Sequence, residues 1–429
     1  MEWRNWCGLE STRPEEVYAP RDVDDVVTAV LAAREHGTTV KMVGTSHSFT
    51  GIAVPEHTLL LPGELTGILD VDREAMTVTA RAGTPVHVLN TELERLGLSL
   101  HNMGDIAEQT IAGAVSTGTH GSGGRLASLA AQLAGFEVVT GTGEVLGASA
   151  TENPALFEVG RVGLGALGVL TSLTFRVEPL FVLRAHERPA SWAEGLGSLL
   201  DLAEEHEHVD AYWFPHTDRM QVKTNDRVEV ADQLPRWRQY VDDDLLANRA
   251  FGLLNRVGRA LPATVPLLNQ VSARALTERS YADVAHRVFT TPRHVVFKET
   301  EYAVPRGAGL DALREARRAI ESSDWRISFP VEIRIVPADD IPLSTGSGRD
   351  SIYLAFHTYV GVEHRPYFRE VERIMRAHEG RPHWGKVHTL TAADLAPSYP
   401  RFGDFLAMRD RIDPDRVFAN AHLRRVLGE

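Results

Sequence analysis

The octapeptide GTSHSFTG, residues 44–51, follows directly on the apolar positions Val40, Met42 and Val43, so it sets a histidine among glycines and small hydroxyl residues where a strand ends. Upstream, DVDDVVTAVLAAREHG repeats Val23, Val26, Val27, Val30 and Leu31 at helical spacing, with Asp22 able to cap the start and Gly37 able to end it. TTVKMV is then a β-rich run that delivers the chain into Gly44. Downstream, MTVTARAG predicts another strand. Thr84 and Pro85 predict the cap and first position of a helix carrying Val86, Leu89, Leu93 and Leu96 and stopped by Gly97. GFEVVTGTGEVLG predicts a hairpin around Thr140, Gly141, Thr142 and Gly143. Helices alternate with strands, some of them antiparallel, which defines an α+β class.

At 429 residues the chain is long for one core, since single cores stop growing near ~250 residues, and two domains are expected. Hydrophobic residues at 43% and charged residues at 24% exclude a disordered chain. A net charge of -13 argues against nucleic acid as a partner, because phosphate-backbone binding needs clustered Lys and Arg. The amino terminus has no basic-then-apolar leader and no stretch approaches the ~18 apolar residues of a spanning helix, so a cytoplasmic protein is expected. Cys7 is the only cysteine, which excludes an internal disulfide and a four-thiolate metal site.

After about residue 180 the texture changes. VDAYWFPHTDRMQVKT and VFKETEYAVP predict long strands with aromatic faces, and LDALREARRAIESS predicts a surface helix. The arginine-rich stretch Asp232 to Arg259 predicts a helical excursion over this second domain. No repeat of fixed period is visible.

Two glycine-rich loops, residues 44–51 and AGAVSTGTHGSGG at 112–124, have the composition of a pyrophosphate cradle, since glycine lets backbone N–H groups approach a phosphate closely. Neither is a P-loop, because no Gly-Lys-Ser/Thr follows. GLGALG, 163–168, matches G-x-G-x-x-G, but a β-rich run comes after the glycines instead of before them; a tight turn entering a strand is expected, and Glu187 cannot repair the order as a ribose ligand. His378, His383 and His388 lack zinc spacing and Pro382 forbids a continuous helix, so no metal is expected. The chain has no G-x-S-x-G elbow.

In FPVEIRIV, Glu332 and Arg334 point to one face of a strand; a pair that binds a polyol edge or carbonyl and an exposed cross-strand pair are equally compatible with that spacing. In AFHTYV, Phe356 and Thr358 share one face and His357 and Tyr359 the other, so His357 could face a pocket. RPHWGKVH sets Lys386 beside His383 and Trp384; composition alone favours a solvated lysine over a desolvated fixed charge.

In order along the chain, the G-x-x-H-S-F loop, NMGDIAEQTIAGAVSTGTHGSG, GALGVLTSL, FPVEIRIV, RPHWGKVH and DPDRVFANAHLRRVLG closely resemble the aldonolactone oxidoreductases. That group comprises L-gulono-1,4-lactone and D-arabinono-1,4-lactone oxidases or dehydrogenases and the related alditol oxidases, and it belongs to the vanillyl-alcohol oxidase type of FAD flavoproteins. The resemblance covers essentially the whole chain.

It implies a two-domain α+β fold: an FAD-binding domain of PCMH type over residues 1–180, a cap domain with an antiparallel sheet over 181–380, and a segment 381–429 returning to the first. It implies FAD bound covalently through His47. Attachment should be single, because the second glycine loop has no cysteine. Gly44, Thr45, Ser46, Ser48 and Phe49 with Thr110, Gly113, Ser116, Thr117, Gly118, Thr119, His120 and Gly121 would wrap the cofactor, and Gly168 and Val169 would touch its adenine half. Asp105 stands where alditol oxidases carry serine near flavin N5. Gly104 falls at the oxygen-access position and leans the reading towards an oxidase. Glu332 and Arg334 match the substrate-binding pair, Lys386 the lysine facing flavin N1 and C2=O, and His357 the histidine of the lactone branch; Glu332 or His357 takes the hydroxyl proton. The implied substrates are sugar lactones, or alternatively polyols, with O2 or another electron acceptor, and a monomer or small homo-oligomer is expected.

Overall fold

The computed structural model describes residues 1–123, 128–233, 249–291 and 294–428. Gly124, at the end of the second glycine loop, and residues 234–248 of the arginine-rich stretch lie outside them; Phe251–Ala260 within that stretch is helical. The order of the first strands and helices is as the periodicity predicts. Helix α1, Val23–Glu35, starts where the Asp22 side chain accepts the Asp25 N–H and buries Val26, Val30 and Ala33. Gly37 follows with a φ of 65°, which costs glycine little.

Three short strands, β1 (Glu16–Tyr18), β2 (Val40–Met42) and β3 (Thr58–Leu60), pair in parallel in the order β1-β3-β2. A second sheet runs β7-β6-β8-β5-β4, with β4 at Ile68–Asp72, β5 at Thr77–Arg81, β6 at Leu133–Val139, β7 at Val145–Ser149 and β8 at Val169–Arg176. The predicted hairpin is β6-β7, and GLGALG is a turn entering β8, with Gly165 and Gly168 at positive φ. Helix α2, Val86–Arg95, corrects one expectation: its cap residue is Pro85, because the Thr84 hydroxyl instead donates to the Arg81 carbonyl at 2.6 Å and accepts the Gly67 N–H at 2.9 Å.

The third sheet has eight strands in the order β12-β9-β11-β10-β14-β15-β13-β16. Its members are β9 (Val182–Ser191), β10 (His208–Trp213), β11 (Arg219–Val228), β12 (Arg279–Val284), β13 (Phe297–Pro305), β14 (Val331–Val336), β15 (Ser351–Tyr359) and β16 (Arg381–Pro382). One face is apolar: Ala211, Trp213, Ile333, Ile335, Leu354, Phe356 and Tyr302 pack in one core with helices Trp192–Glu205, Arg306–Glu321 and Arg365–Ala377. The other face is polar and buried. Antiparallel register sets Tyr212 opposite Glu332, Asp210 opposite Arg334 and Glu299 opposite His357, and directly paired residues share a face.

The chain's last segment closes the two parts together. Trp384, Leu390, Phe405, Leu423 and Val426 join the core that holds the second sheet. Val40 N–H donates to the Val417 carbonyl, Phe49 N–H to that of Gly385, and the Asn420 amide to those of Gly51, Ile52 and Val54.

Candidate functional site

The loop after β2 is pinned from the amino terminus. The Trp3 indole donates to the Ser46 hydroxyl at 3.0 Å and the Trp6 N–H to the Ser46 carbonyl at 2.8 Å, which holds Ser46 at a φ of 61°, strained for a residue with a side chain. Trp6 stacks on the His47 ring at 5.9 Å, and His47 Nδ1 lies 2.9 Å from the Thr45 hydroxyl. Burial lowers the His47 pKa from its ordinary value, with Glu108 opposing and Lys386 adding to it, which favours the neutral imidazole. Trp6 carries no signal in sequence that ties it to His47, forty-one positions away.

Gly44 to Ser48 line a cleft of about 960 Å³ together with Thr110, Gly113, Ser116 and Thr117, the turn at Gly165 and Gly168, Val169, Lys41 and Phe418. Its walls are glycine-built: a Cβ on Gly44 would stand 2.4 Å from Thr110 Oγ1, and one on Gly168 2.4 Å from Val138 Cγ2. Gly118 and Gly121 line neither this cleft nor the next. Gly118 faces a separate cavity with His120, and Gly121 packs so tightly that a Cβ would meet Asn102 Oδ1 at 2.2 Å. Phe49 is buried beneath Lys386, with the ammonium 5.1 Å from its ring centre.

A second cleft, of about 510 Å³, shares Gln109 with the first and lies between the glycine loops and the polar face of the eight-stranded sheet. Gly104, Asp105, Thr119, His120, Glu299, Glu301, Glu332, Arg334, His357, His383 and Lys386 line it. Glu332 and Arg334 are thus not an exposed pair. Arg334 Nη2 lies 2.6 Å from Glu332 Oε1, and the same guanidinium approaches Asp105 and Asp210 at 3.4 Å each. Glu332 also accepts the Tyr212 hydroxyl at 3.0 Å. Burial raises the Asp210 carboxyl despite that cation, and the surrounding carboxylates hold the Arg334 guanidinium charged.

Lys386 corrects the composition-based expectation of a solvated lysine: its ammonium donates to Glu299 Oε2 at 2.5 Å. Burial disfavours that charge, but Glu299 and Glu301 outweigh it and raise the lysine's pKa. Burial likewise pushes the Glu299 carboxyl up, and Lys386 and His357 more than reverse it, to about 2. His357 donates Nδ1–H to the Pro330 carbonyl at 3.1 Å, leaving Nε2 3.5 Å from Glu299 Oε1.

Glu301, His120 and His383 form a buried trio with atoms close enough for a metal ion. Nδ1 of His383 accepts the Gly385 N–H at 3.1 Å, so its proton sits on Nε2 and no lone pair there is free for a metal. Burial lowers His383 to about 3, which keeps the ring neutral. The three histidines weighed as metal ligands and set aside are dispersed: besides His383, His378 meets Glu315 and His388 lies edge-on to His422. Glu187 pairs with Arg279 on the neighbouring strand, which accounts for it without a ribose.

A glycine-walled cleft joins a buried polar chamber on the face of an antiparallel sheet, an arrangement that fits the FAD-binding fold of the vanillyl-alcohol oxidase type. The chain superposes on the crystal structure of cholesterol oxidase from B. sterolicum with a TM-score of 0.83, at 19% identity, covering 99% of this chain and 96% of that one. Residues 14–149 match the FAD binding domain family, and residues 173–426 match the D-arabinono-1,4-lactone oxidase family. The chain belongs to the D-arabinono-1,4-lactone oxidase family, and it is an FAD-linked oxidoreductase acting on CH–OH groups. It is 38% identical to the L-gulono-1,4-lactone dehydrogenase of Mycobacterium tuberculosis over 99% of both chains. It is 30% identical to the L-gulonolactone oxidase of Bos taurus and 32% identical to the alditol oxidase of a Streptomyces species, each over 99% of this chain and 98% of the relative.

Proposed function

We propose that the protein oxidises a secondary alcohol of a sugar 1,4-lactone of the L-gulono-, L-galactono- or D-arabinono- type, with reoxidation by O2 or another acceptor. The observation that carries this reading is the chamber itself, where Glu332, Arg334, His357 and Lys386 converge beside the histidine loop. FAD, bound covalently through His47 and cradled by the glycine loops, supplies the hydride acceptor. The small-residue walls of the first cleft fit an extended dinucleotide, and His47 lines that cleft with Trp6 stacked on its ring.

Arg334 and Glu332 hold the polyol edge of the substrate. Of the two candidate bases, His357 is the better placed. Glu332 Oε1 already receives the Arg334 guanidinium and the Tyr212 hydroxyl, whereas His357, with Nδ1–H committed to a carbonyl, turns Nε2 toward Glu299 Oε1, a carboxylate that stabilises a proton arriving there. Lys386 would serve as a fixed cation for the negative charge that a reduced flavin carries, and being already oriented it would cost no reorganisation. The domain arrangement follows: residues 1–180 hold the cofactor, 181–380 the substrate, and 381–429 bring Lys386 to both, in a cytoplasmic enzyme.

Near full-length similarity to an alditol oxidase supports a second reading, oxidation of the terminal carbinol of a polyol such as xylitol or sorbitol. Steady-state turnover of L-gulono-1,4-lactone and of sorbitol, each with O2 and with an artificial dye acceptor, separates the two. Turnover of the alditol alone rejects the lactone reading.

A further inference from the structure

One fully buried carboxylate in the second cleft has no part in the chemistry above. Glu299 sits on β13, opposite His357 on β15, and is 4% exposed. Its two oxygens face different partners: Oε2 accepts from the Lys386 ammonium at 2.5 Å, and Oε1 stands 3.5 Å from Nε2 of His357. Its strand neighbour on the same face, Glu301, is engaged by His120 at 3.4 Å, so Glu299 is the carboxylate that serves these two groups. Lysine is a point charge on a flexible four-carbon stem, and among the described residues Glu299 is the one that accepts a hydrogen bond from it, with the Phe49 ring beneath. The sheet does not need the carboxylate for pairing, because β13 is held to β15 by backbone register from Phe297 to Pro305.

We propose that Glu299 is a positioning residue, which fixes the Lys386 ammonium with one carboxylate oxygen and with the other accepts a hydrogen bond from the N–H that His357 gains at Nε2. The inference rests on the reading of Lys386 and His357 given above. In the balanced step, the alcohol O–H proton moves to Nε2, and the new N–H donates to Glu299 Oε1. The carbinol C–H leaves as hydride to the FAD acceptor, and the C–O bond becomes C=O. The negative carboxylate thus offsets the imidazolium as it forms, while the same group keeps the ammonium in place.

The test is Glu299→Gln, which keeps volume and removes charge, compared with Lys386→Met and with the double variant. The readouts are the midpoint potential of the bound flavin and the separate values of kcat and KM. Glu299→Gln is expected to shift the potential to more negative values, in the direction of Lys386→Met, and to lower kcat by about tenfold or more with KM little changed, the signature of lost transition-state stabilisation. The double variant is expected to match the midpoint potential of Lys386→Met alone, because Glu299 acts on the flavin through the lysine, and to fall further in kcat, because the carboxylate facing His357 is lost as well. If the single Glu299 variant does not fold, the double variant still decides, since it leaves no unpaired buried charge. A Glu299→Gln enzyme with wild-type potential and kcat, or a double variant whose potential differs from that of Lys386→Met or whose kcat equals it, overturns the inference. A Lys386→Met enzyme with wild-type potential overturns instead the reading of Lys386 beneath it.

Discussion

Arg334 and Glu332 are two positions apart on one strand, and their side chains meet in a buried cleft, with Nε 2.9 Å and Nη2 2.6 Å from the same carboxylate oxygen. Three carboxylates, Glu332, Asp105 and Asp210, share this one guanidinium. Removing it would take the cation from the buried Glu332 carboxylate and from Asp210 and Asp105 beside it.

Arg334→Ala is therefore expected to destabilise the fold by about 3–5 kcal/mol, measured by chemical denaturation. Arg334→Lys keeps the charge but loses the planar fork, and a rise in KM with a fall in kcat/KM of about tenfold or more is expected. Wild-type kinetics in the lysine variant would show that only the charge matters.

Acid should unfold the protein early. Burial lowers His208 to about 4 and His388 to about 3, so the native state binds their protons only far below the ordinary histidine value of 6.5. The unfolded chain binds more protons in that window, so stability is full above pH 6.5 and is lost as pH falls from there towards pH 4 and below, at about 1.4 kcal/mol per pH unit for each such histidine. Among the described residues neither ring nitrogen of His388 has a hydrogen-bond partner, so His388→Leu should flatten the acid slope of the denaturation free energy. An unchanged slope would show that His388 does not contribute.

The helix and strand order of the first half was legible because it is written locally: Asp22 and Gly37 bracket α1, and the β6-β7 hairpin announces its own turn. The cap of α2 was misplaced by one residue because the competing Arg81 carbonyl that claims the Thr84 hydroxyl belongs to the preceding turn. In the chamber, Glu332, Arg334, His357 and Lys386 were found through the resemblance, whereas Glu299 and Glu301 were passed over. Their alternation in FKETEY reads as the wet face of a strand, and only long-range strand order turns that face inward. Lys386 looked solvated for the same reason, since its carboxylate partner lies 87 positions away.

Gly104 tests the lean towards an oxidase. A Cβ there would stand 3.0 Å from Thr119 Cγ2 and 3.1 Å from the His120 carbonyl, so a methyl group fits only by displacing its neighbours slightly. Gly104→Ala should slow reoxidation by O2 while anaerobic reduction of the flavin by substrate is preserved, both followed by stopped-flow absorbance. Equal losses in the two half-reactions would reject the oxygen-access role.

Trp6 stacks on the ring that would carry the cofactor. Trp6→Ala should leave FAD binding largely intact but lower the covalently attached fraction, measured as flavin remaining with acid-precipitated protein. An attached fraction equal to wild type would make Trp6 a packing residue only.

The central claim is a histidyl-linked FAD at His47, and a denaturing gel viewed for flavin fluorescence in acid tests it most directly, with wild type and His47→Ala side by side. The account predicts a fluorescent wild-type band and a dark variant band from protein that still folds. A dark wild-type band, from protein that releases no flavin into the supernatant, would contradict it.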